Sequence, residues 1–305
     1  MARDAIAVIG SINQDFIFEV QRLPNKGETL TANNFSMCSG GKGANQSVQC
    51  AKLGAKVYMA GRVGCDSFGD MQIKKLNEYG VDVSYISRSK DTYTGLGSVQ
   101  ALPGGGVYAT IFTGANFDMD TSFVDNIEPL FQKCKIVVMQ MEIPMPVIEE
   151  SIQRAKQCGC YVILNAAPAK PIDLKVLKLV DCLVVNESEA AFYVAIEIHD
   201  VETAKKGAMK LLDMVGKEVI VTLGEKGSVL CNQAGTIHFA ANTSVQAVDT
   251  TGAGDSYIGA IATKLLEGED MRKACEFASR IAAFTVTRVG AQEGMPTALD
   301  IGACK

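Results

Sequence analysis

The chain has 305 residues, a net charge of −5, and 48% hydrophobic against 21% charged residues, the balance of an ordinary water-soluble globular protein. Its acidic balance supplies no basic field for nucleic acid or an anionic membrane surface, and no run reaches the roughly 18 apolar residues of a membrane span. A short apolar stretch at the N-terminus meets Asn13 and Asp15 too soon for a signal peptide, so a cytoplasmic location is expected.

In chain order, the first strand is predicted at 5–10, "AIAVIG". The following "GSINQD" places Asn13 and Asp15 two residues apart, hence on one face if extended. An amide and a carboxylate on one face suit a polyhydroxylated ligand, and equally a loop of turn-forming residues. Strand-like runs follow at 15–20 and 28–37 with no helix between them. "SGGKGANQ" (39–46) then leads into a helix at 43–53. Lys42 is followed by Gly43 rather than Ser or Thr, so the segment is not a phosphate-binding Walker loop. Its glycines still permit close backbone approach, Lys42 offers a cation, and Asn45 offers both a donor and acceptors.

A buried strand at 56–61 and a helix at 68–79 come next. Two further strand-like runs, 95–102 and 106–114, are joined by the hairpin-type "PGGG" at 103–106. With the earlier pair they make four antiparallel strands outside the main alternation, expected to form a small second layer. The alternation resumes with strands at 135–140, 161–166, 182–186 and 218–224 and helices at 145–157 and 201–214. Continuous apolar strands alternating with helices predict an α/β fold, a mostly parallel sheet covered on both faces. Ligands of such folds gather beyond the carboxyl ends of the strands.

Two segments fall at that edge. "NESEA" sets Asn186 and Glu189 three apart after a strand. They could orient a metal-bound water near phosphates, or simply cap a helix. "TLGEKG" supplies Thr222, Gly224 and Gly227, a small-residue loop that could pass beneath a nucleotide or make an ordinary turn. "VDTTGAGDSY" (248–257) precedes a helix at 255–266. Gly252 and Gly254 allow successive N–H groups to converge on an anion at the helix start. Asp255 beside that anion makes sense if a substrate hydroxyl must be held and deprotonated there; otherwise it caps the helix. Neither 41–46 nor 252–257 completes a dinucleotide fingerprint, because Gln46 and Tyr257 occupy the last positions. A long helix at 270–288 closes the pattern.

Ten scattered cysteines contain no C-x-x-C, and the only histidines, His199 and His238, stand near no cysteine pair. They read as reduced core residues rather than disulfides or a zinc site. Acid–base chemistry therefore falls to carboxylates or lysines.

Taken together and in order, "GSINQD", "GGKGANQ", "MQMEIP", "NAAPA", "NESEA", "TLGEKG", "VDTTGAGDS" and "TRVGAQEGMP" resemble the ribokinase-like carbohydrate kinase family over nearly the whole chain. The resemblance implies one kinase domain spanning 1–305, with a discontinuous β lid from about 13–38 and 92–114. It implies ATP-dependent phosphorylation of a sugar, the 5-hydroxyl if the sugar is ribose. Asp255 would be the base, and the amides of Gly252, Ala253 and Gly254 the anion hole. Asn13, Asp15, Gly41, Lys42, Asn45 and Glu142, with Asp255, would bind the sugar. Asn186, Thr222, Gly224, Gly227 and Gly254 would bind ATP, with Glu189 acting indirectly on Mg²⁺. Asp249, Thr251, Arg288 and Gly290 would form a site for K⁺ or another monovalent cation. Members often carry serine where this chain has Gly294, so one hydroxyl of that site is missing. A homodimer through the lid is also implied. Three readings remain open: a kinase of ribose, a kinase of another sugar or a nucleoside, and a non-catalytic sugar-binding protein.

Overall fold

The protein is described from a computed structural model covering residues 3–103, 106–242 and 245–302. Thirteen strands are present among these residues. They are β1 (Ala5–Ile9), β2 (Asn13–Glu19), β3 (Asn34–Gly40), β4 (Lys56–Gly64), β5 (Asp82–Ser89), β6 (Gly95–Ala101) and β7 (Val107–Phe112), then β8 (Cys134–Gln140), β9 (Tyr161–Asn165), β10 (Cys182–Val185), β11 (Glu218–Thr222), β12 (Ser228–Asn232) and β13 (Gly235–Phe239).

Nine of them form one sheet in the order β13-β12-β11-β10-β9-β8-β1-β4-β5. From β11 to β5 every pairing is parallel, and β12 and β13 add an antiparallel edge. All five residues of β1 are buried, and alternate ones enter different cores. Ala5, Ala7 and Ile9 pack with Val137, Met139 and Leu164 on one face. Ile6 and Val8 pack with Ile136, Val138 and Ile163 on the other. Period-two alternation between two covered faces is why these strands read as unbroken apolar runs.

The strand order reverses at β1, which has β4 on one side and β8 on the other. Loops leaving β1 and β8 at that point diverge onto opposite sides of the sheet and open a crevice between them.

The remaining four strands form a second sheet, ordered β3-β2-β6-β7. Its outer pairs are antiparallel as expected, but the central pair β2–β6 is parallel, with Asn13 opposite Gly95 and Asp15 opposite Gly97. The reason is connectivity: β2 follows β1 and β6 follows β5, two parallel strands of the main sheet, so both leave the same edge in the same direction. The predicted strand at 28–37 is shorter than expected, since β3 begins at Asn34. In the 103–106 connection, residues 104–105 lie outside the described residues.

Other differences are local. The last long helix is Met271–Thr285 and stops short of 288. The helix Thr121–Lys133 was not predicted; Asp120 caps it, and Pro129 interrupts its sequence pattern without ending it. β5 escaped prediction because it is an edge strand, and its polar and apolar residues alternate instead of forming a buried run.

Candidate active site

Strand ends deliver the chemistry. β1 runs out into Ser11 and Asn13, and β8 into Glu142, on either side of the reversal point. The Ser11 hydroxyl donates to Glu142 Oε2 at 2.5 Å, and the backbone N–H of Lys42 donates to the same oxygen at 3.2 Å. Asn13, Glu142, Asn116 and Lys170 line a small cavity of about 140 Å³ with Ser11 and Met141 among them. Asn116, on the 3-10 turn Gly114–Phe117, donates to Asn13 Oδ1 at 2.7 Å and accepts from the Ile12 N–H at 2.9 Å.

Asp15 extends the same face along β2. Its side chain fills a slot between two glycines of the flanking strands. A Cβ on Gly40 would stand 2.0 Å from Asp15 Oδ2, and one on Gly97 2.2 Å from Oδ1. Oδ1 is buried without a partner among the described residues. Burial, reinforced by the nearby charge of Glu142, pushes the Asp15 carboxyl up from 3.8 to about 6. A carboxylate held out of water with an open lone pair is an acceptor waiting for a hydroxyl donor.

A second cavity, of about 580 Å³, lies beyond the carboxyl ends of β10 and β11. Asn186, Thr222, Gly224, Gly227 and Gly254, the five nucleotide-side residues expected from sequence, all line it. So do the hydrophobic Ala282 and Val286 of the closing helix region. Its volume falls in the range of small-molecule sites.

The start of the helix Ala253–Leu266 borders the larger cavity through Ala253 and Gly254. Gly252 precedes it with φ at 78°, and a Cβ there would meet Ala291 Cα at 3.0 Å. Both the left-handed backbone and the close approach require glycine. The Ala253 N–H donates to the Thr250 carbonyl at 3.2 Å, so in this state it serves the turn. Asp255 does not cap the helix. Its buried carboxylate accepts from Asn45 Nδ2 and Gln46 Nε2, each at 2.9 Å, on the helix Lys42–Lys52 behind Gly41. Lys42 is half-buried among acids. Asp255 first, then Glu142 and Glu189, raise its ammonium pKa against the opposing effect of burial, so it stays charged.

Asn186 and Glu189 do make the capping arrangement. Asn186 Oδ1 accepts from the Glu189 N–H, and Glu189 Oε2 accepts from the Asn186 N–H, each at 2.9 Å. Burial leads the upward shift of the Glu189 carboxyl. Asp249 ties two loops together, accepting from Thr251 N–H and Gly290 N–H at 2.9 Å each. The Arg288 side chain turns away to Asp300 at 3.2 Å and over the Phe284 ring, leaving only its backbone to face the loop interior. A Cβ on Gly294 would stand 3.3 Å from the carbonyls of Thr285 and Arg288. Both histidines are exposed.

The pfkB family carbohydrate kinase profile matches residues 3–298. The chain belongs to this family. As a carbohydrate kinase it is 35% identical to a ribokinase of Haemophilus influenzae, covering 97% of this chain and 96% of the relative. It is 34% identical to a deoxyribokinase of Salmonella typhi, covering 96% and 95%. Among solved structures, the Arabidopsis thaliana ribokinase complexed with ribose and ATP superposes with a TM-score of 0.91 at 31% identity, over 99% of this chain and 98% of that one. Among the described residues no helix is long and apolar enough to cross a membrane.

Sequence reasoning missed Ser11, Asn116 and Lys170 around the small cavity, and Gln46 beside Asp255. Asn116 lies about a hundred positions from Asn13, and no local signal marks it as a neighbour. Gln46 was legible only as the residue that spoiled a dinucleotide fingerprint.

Proposed function

We propose that this carbohydrate kinase is an ATP-dependent ribokinase, transferring the γ-phosphoryl group of ATP to the 5-hydroxyl of D-ribose with Asp255 as the base. One observation carries the reading: the buried Asp255 carboxylate lies in the first turn of a helix whose Ala253 and Gly254 line the nucleotide-sized cavity, and the Lys42 ammonium is coupled both to it and to Glu142 of the small cavity. Ribose would lie across Asn13, Asp15, Gly41, Lys42, Asn45 and Glu142, the acidic groups accepting from its hydroxyls. Asp255 takes the proton as the sugar oxygen attacks the γ-phosphorus. The new P–O bond forms as the bond to the ADP oxygen breaks, and ADP leaves with the electron pair. A positioned base is worth about 10²–10⁴-fold, and the amides of 252–254 with Lys42 stabilise the charge on the transferring group.

Asn186, Thr222, Gly224, Gly227 and Gly254 would hold ATP. Among the described residues no cluster of three acidic, histidine or cysteine side chains could bind a metal alone. That suits Mg²⁺, which keeps waters and leans on substrate phosphates; Glu189 would orient it through water, and the ion would neutralise phosphate charge. K⁺ would sit against backbone oxygens of the loops that Asp249 joins, with Asp249, Thr251, Arg288 and Gly290 contributing. Without a hydroxyl at Gly294 the activation by KCl is expected to be modest, and Gly294→Ser should strengthen it. The whole chain is taken as one kinase domain, with the second sheet as its lid and as the surface that pairs two copies. The cysteines among the described residues are free, which supports a reducing, cytoplasmic setting.

The test is ADP release with ribose, 2-deoxyribose, fructose and adenosine as acceptors, with and without KCl. Ribose is expected to give the highest kcat/KM. Preference for 2-deoxyribose would replace the assignment with that of the deoxyribokinase relative, and sugar binding without turnover would replace it with a binding role. Asp255→Asn should keep ribose affinity and lose at least about 10²-fold in kcat.

A further inference from the structure

The Asp255 carboxylate can only accept hydrogen bonds, and this fixes the orientation of everything behind it. Asn45 and Gln46 must each turn an NH₂ group toward it, as the 2.9 Å contacts show. Their carbonyl ends therefore point the other way, and each finds one further buried amide. Gln292 Nε2 donates to Asn45 Oδ1 at 3.1 Å, and Gln140 Nε2 donates to Gln46 Oε1 at 2.7 Å. The second hydrogen of Gln46 Nε2 goes to Asn165 Oδ1 at 3.2 Å, whose own NH₂ is committed to the Val184 carbonyl. Each amide that faces Asp255 thus has its carbonyl end satisfied by a donor behind it.

Gln140 and Gln292 are both fully buried, and in each the Oε1 atom has no hydrogen-bond partner among the described residues. Gln49 and Gln72 share that state among the described residues, donating to the Pro296 carbonyl and to Gln14 Oε1. Only Gln140 and Gln292 converge on one carboxylate. A buried acceptor without a partner is unfavourable, and methionine would fill the same space without one. Amides at these two places point to a use for the donor end.

We infer that Gln140 and Gln292 are positioning residues, which lock the amide polarity of Gln46 and Asn45 so that Asp255 is held with both oxygens as acceptors and one fixed direction toward the sugar hydroxyl. Gln140 ends β8 and Gln292 lies in the short helix Ala291–Gly294, so the carboxylate is braced from two sides of the molecule. Without Gln292 the buried Asn45 Oδ1 loses its donor, and the contact to Asp255 alone is left to hold the amide. The amide can then tilt in search of another donor and carry the carboxylate off its direction. Neither glutamine touches the nucleotide cavity.

The inference rests on Asp255 being the base, and the experiment separates the two. Measured with saturating ATP and sugar, Gln140→Met and Gln292→Met should each lower kcat by about ten- to a hundredfold through misplacement of the carboxylate. KM for ATP should stay within about twofold, because the glutamines lie outside its cavity, and the melting temperature should hold or rise. Double-mutant cycles decide the matter. In an Asn45→Ala background Gln292→Met should cost little more, and Gln140→Met likewise in a Gln46→Met background. Where methionine prevents folding, leucine at the same position removes the donor without adding a charge. Losses that multiply within a matched pair, or single variants with kcat near wild type, overturn the positioning role alone. Undiminished turnover in Asp255→Asn would overturn the reading beneath it.

Discussion

At the scale of single residues, Asp15 shows how a binding group is made by withholding solvent. Two glycines make room for its carboxyl, no described residue partners Oδ1, and burial raises its pKa to about 6. Folding therefore favours the neutral form. The stability it contributes is complete below its ordinary value of 3.8 and is lost as pH rises through about 6. At neutral pH the ligand-free fold carries a charged, under-partnered acid. Asp15→Asn should accordingly raise stability at pH 7, by on the order of 1–3 kcal/mol, read as a higher denaturation midpoint. The same change should raise KM for the sugar about tenfold or more, since a hydrogen bond to a charged acceptor is lost. In the wild type, KM for the sugar should climb as pH falls from 7 to 5 while KM for ATP moves little. A flat sugar KM over that range would remove Asp15 from the binding face.

At the scale of elements, the start of the helix Ala253–Leu266 is set by what Gly252 lacks. Its φ of 78° costs an L-residue about 1–2 kcal/mol, and a methyl group would press on Ala291 at 3.0 Å. Gly252→Ala should push the helix start away from the short helix Ala291–Gly294 that carries Gln292. Amides and carboxylate then shift together, and a loss of about 10²–10³ in kcat is expected, with a smaller change in KM for either substrate. Stopped-flow or coupled assays that found kcat intact would mean the turn tolerates the displacement and the amides are not the anion site. The capping box of Asn186 and Glu189 belongs to the same scale: capping and lining the nucleotide cavity are compatible uses of Asn186, because its side chain stands at a helix N-terminus that faces that cavity.

At the scale of the whole molecule, the second sheet exposes apolar side chains on both of its edge strands. Phe35 and Met37 of β3 and Tyr108, Ile111 and Phe112 of β7 are each about half exposed. Open edges and apolar side chains are what the proposed pairing of two copies through this sheet would cover. Sedimentation at micromolar concentration should give a dimer, and Tyr108→Glu combined with Ile111→Lys should give a monomer with a weakened hold on sugar. A wild-type monomer at those concentrations would leave the sheet without a pairing role.

Much of this was legible in the chain itself. Unbroken apolar strands announced a sheet buried on both faces, and the glycines of 252–254 announced a helix that starts there. Local sequence carries such features because they depend on neighbours within a turn or a strand. The parallel pairing of β2 with β6, the meeting of Ser11 with Glu142, and the two glutamines behind Asp255 were invisible for the opposite reason. Gln46 reaches Gln140 across 94 positions and Asn45 reaches Gln292 across 247, and an amide announces neither its partner nor its orientation. Sequence thus determined which groups could act on a phosphate and a sugar. Only the tertiary structure decided which way each of them faces, because hydrogen-bond polarity is settled by the whole set of buried neighbours at once.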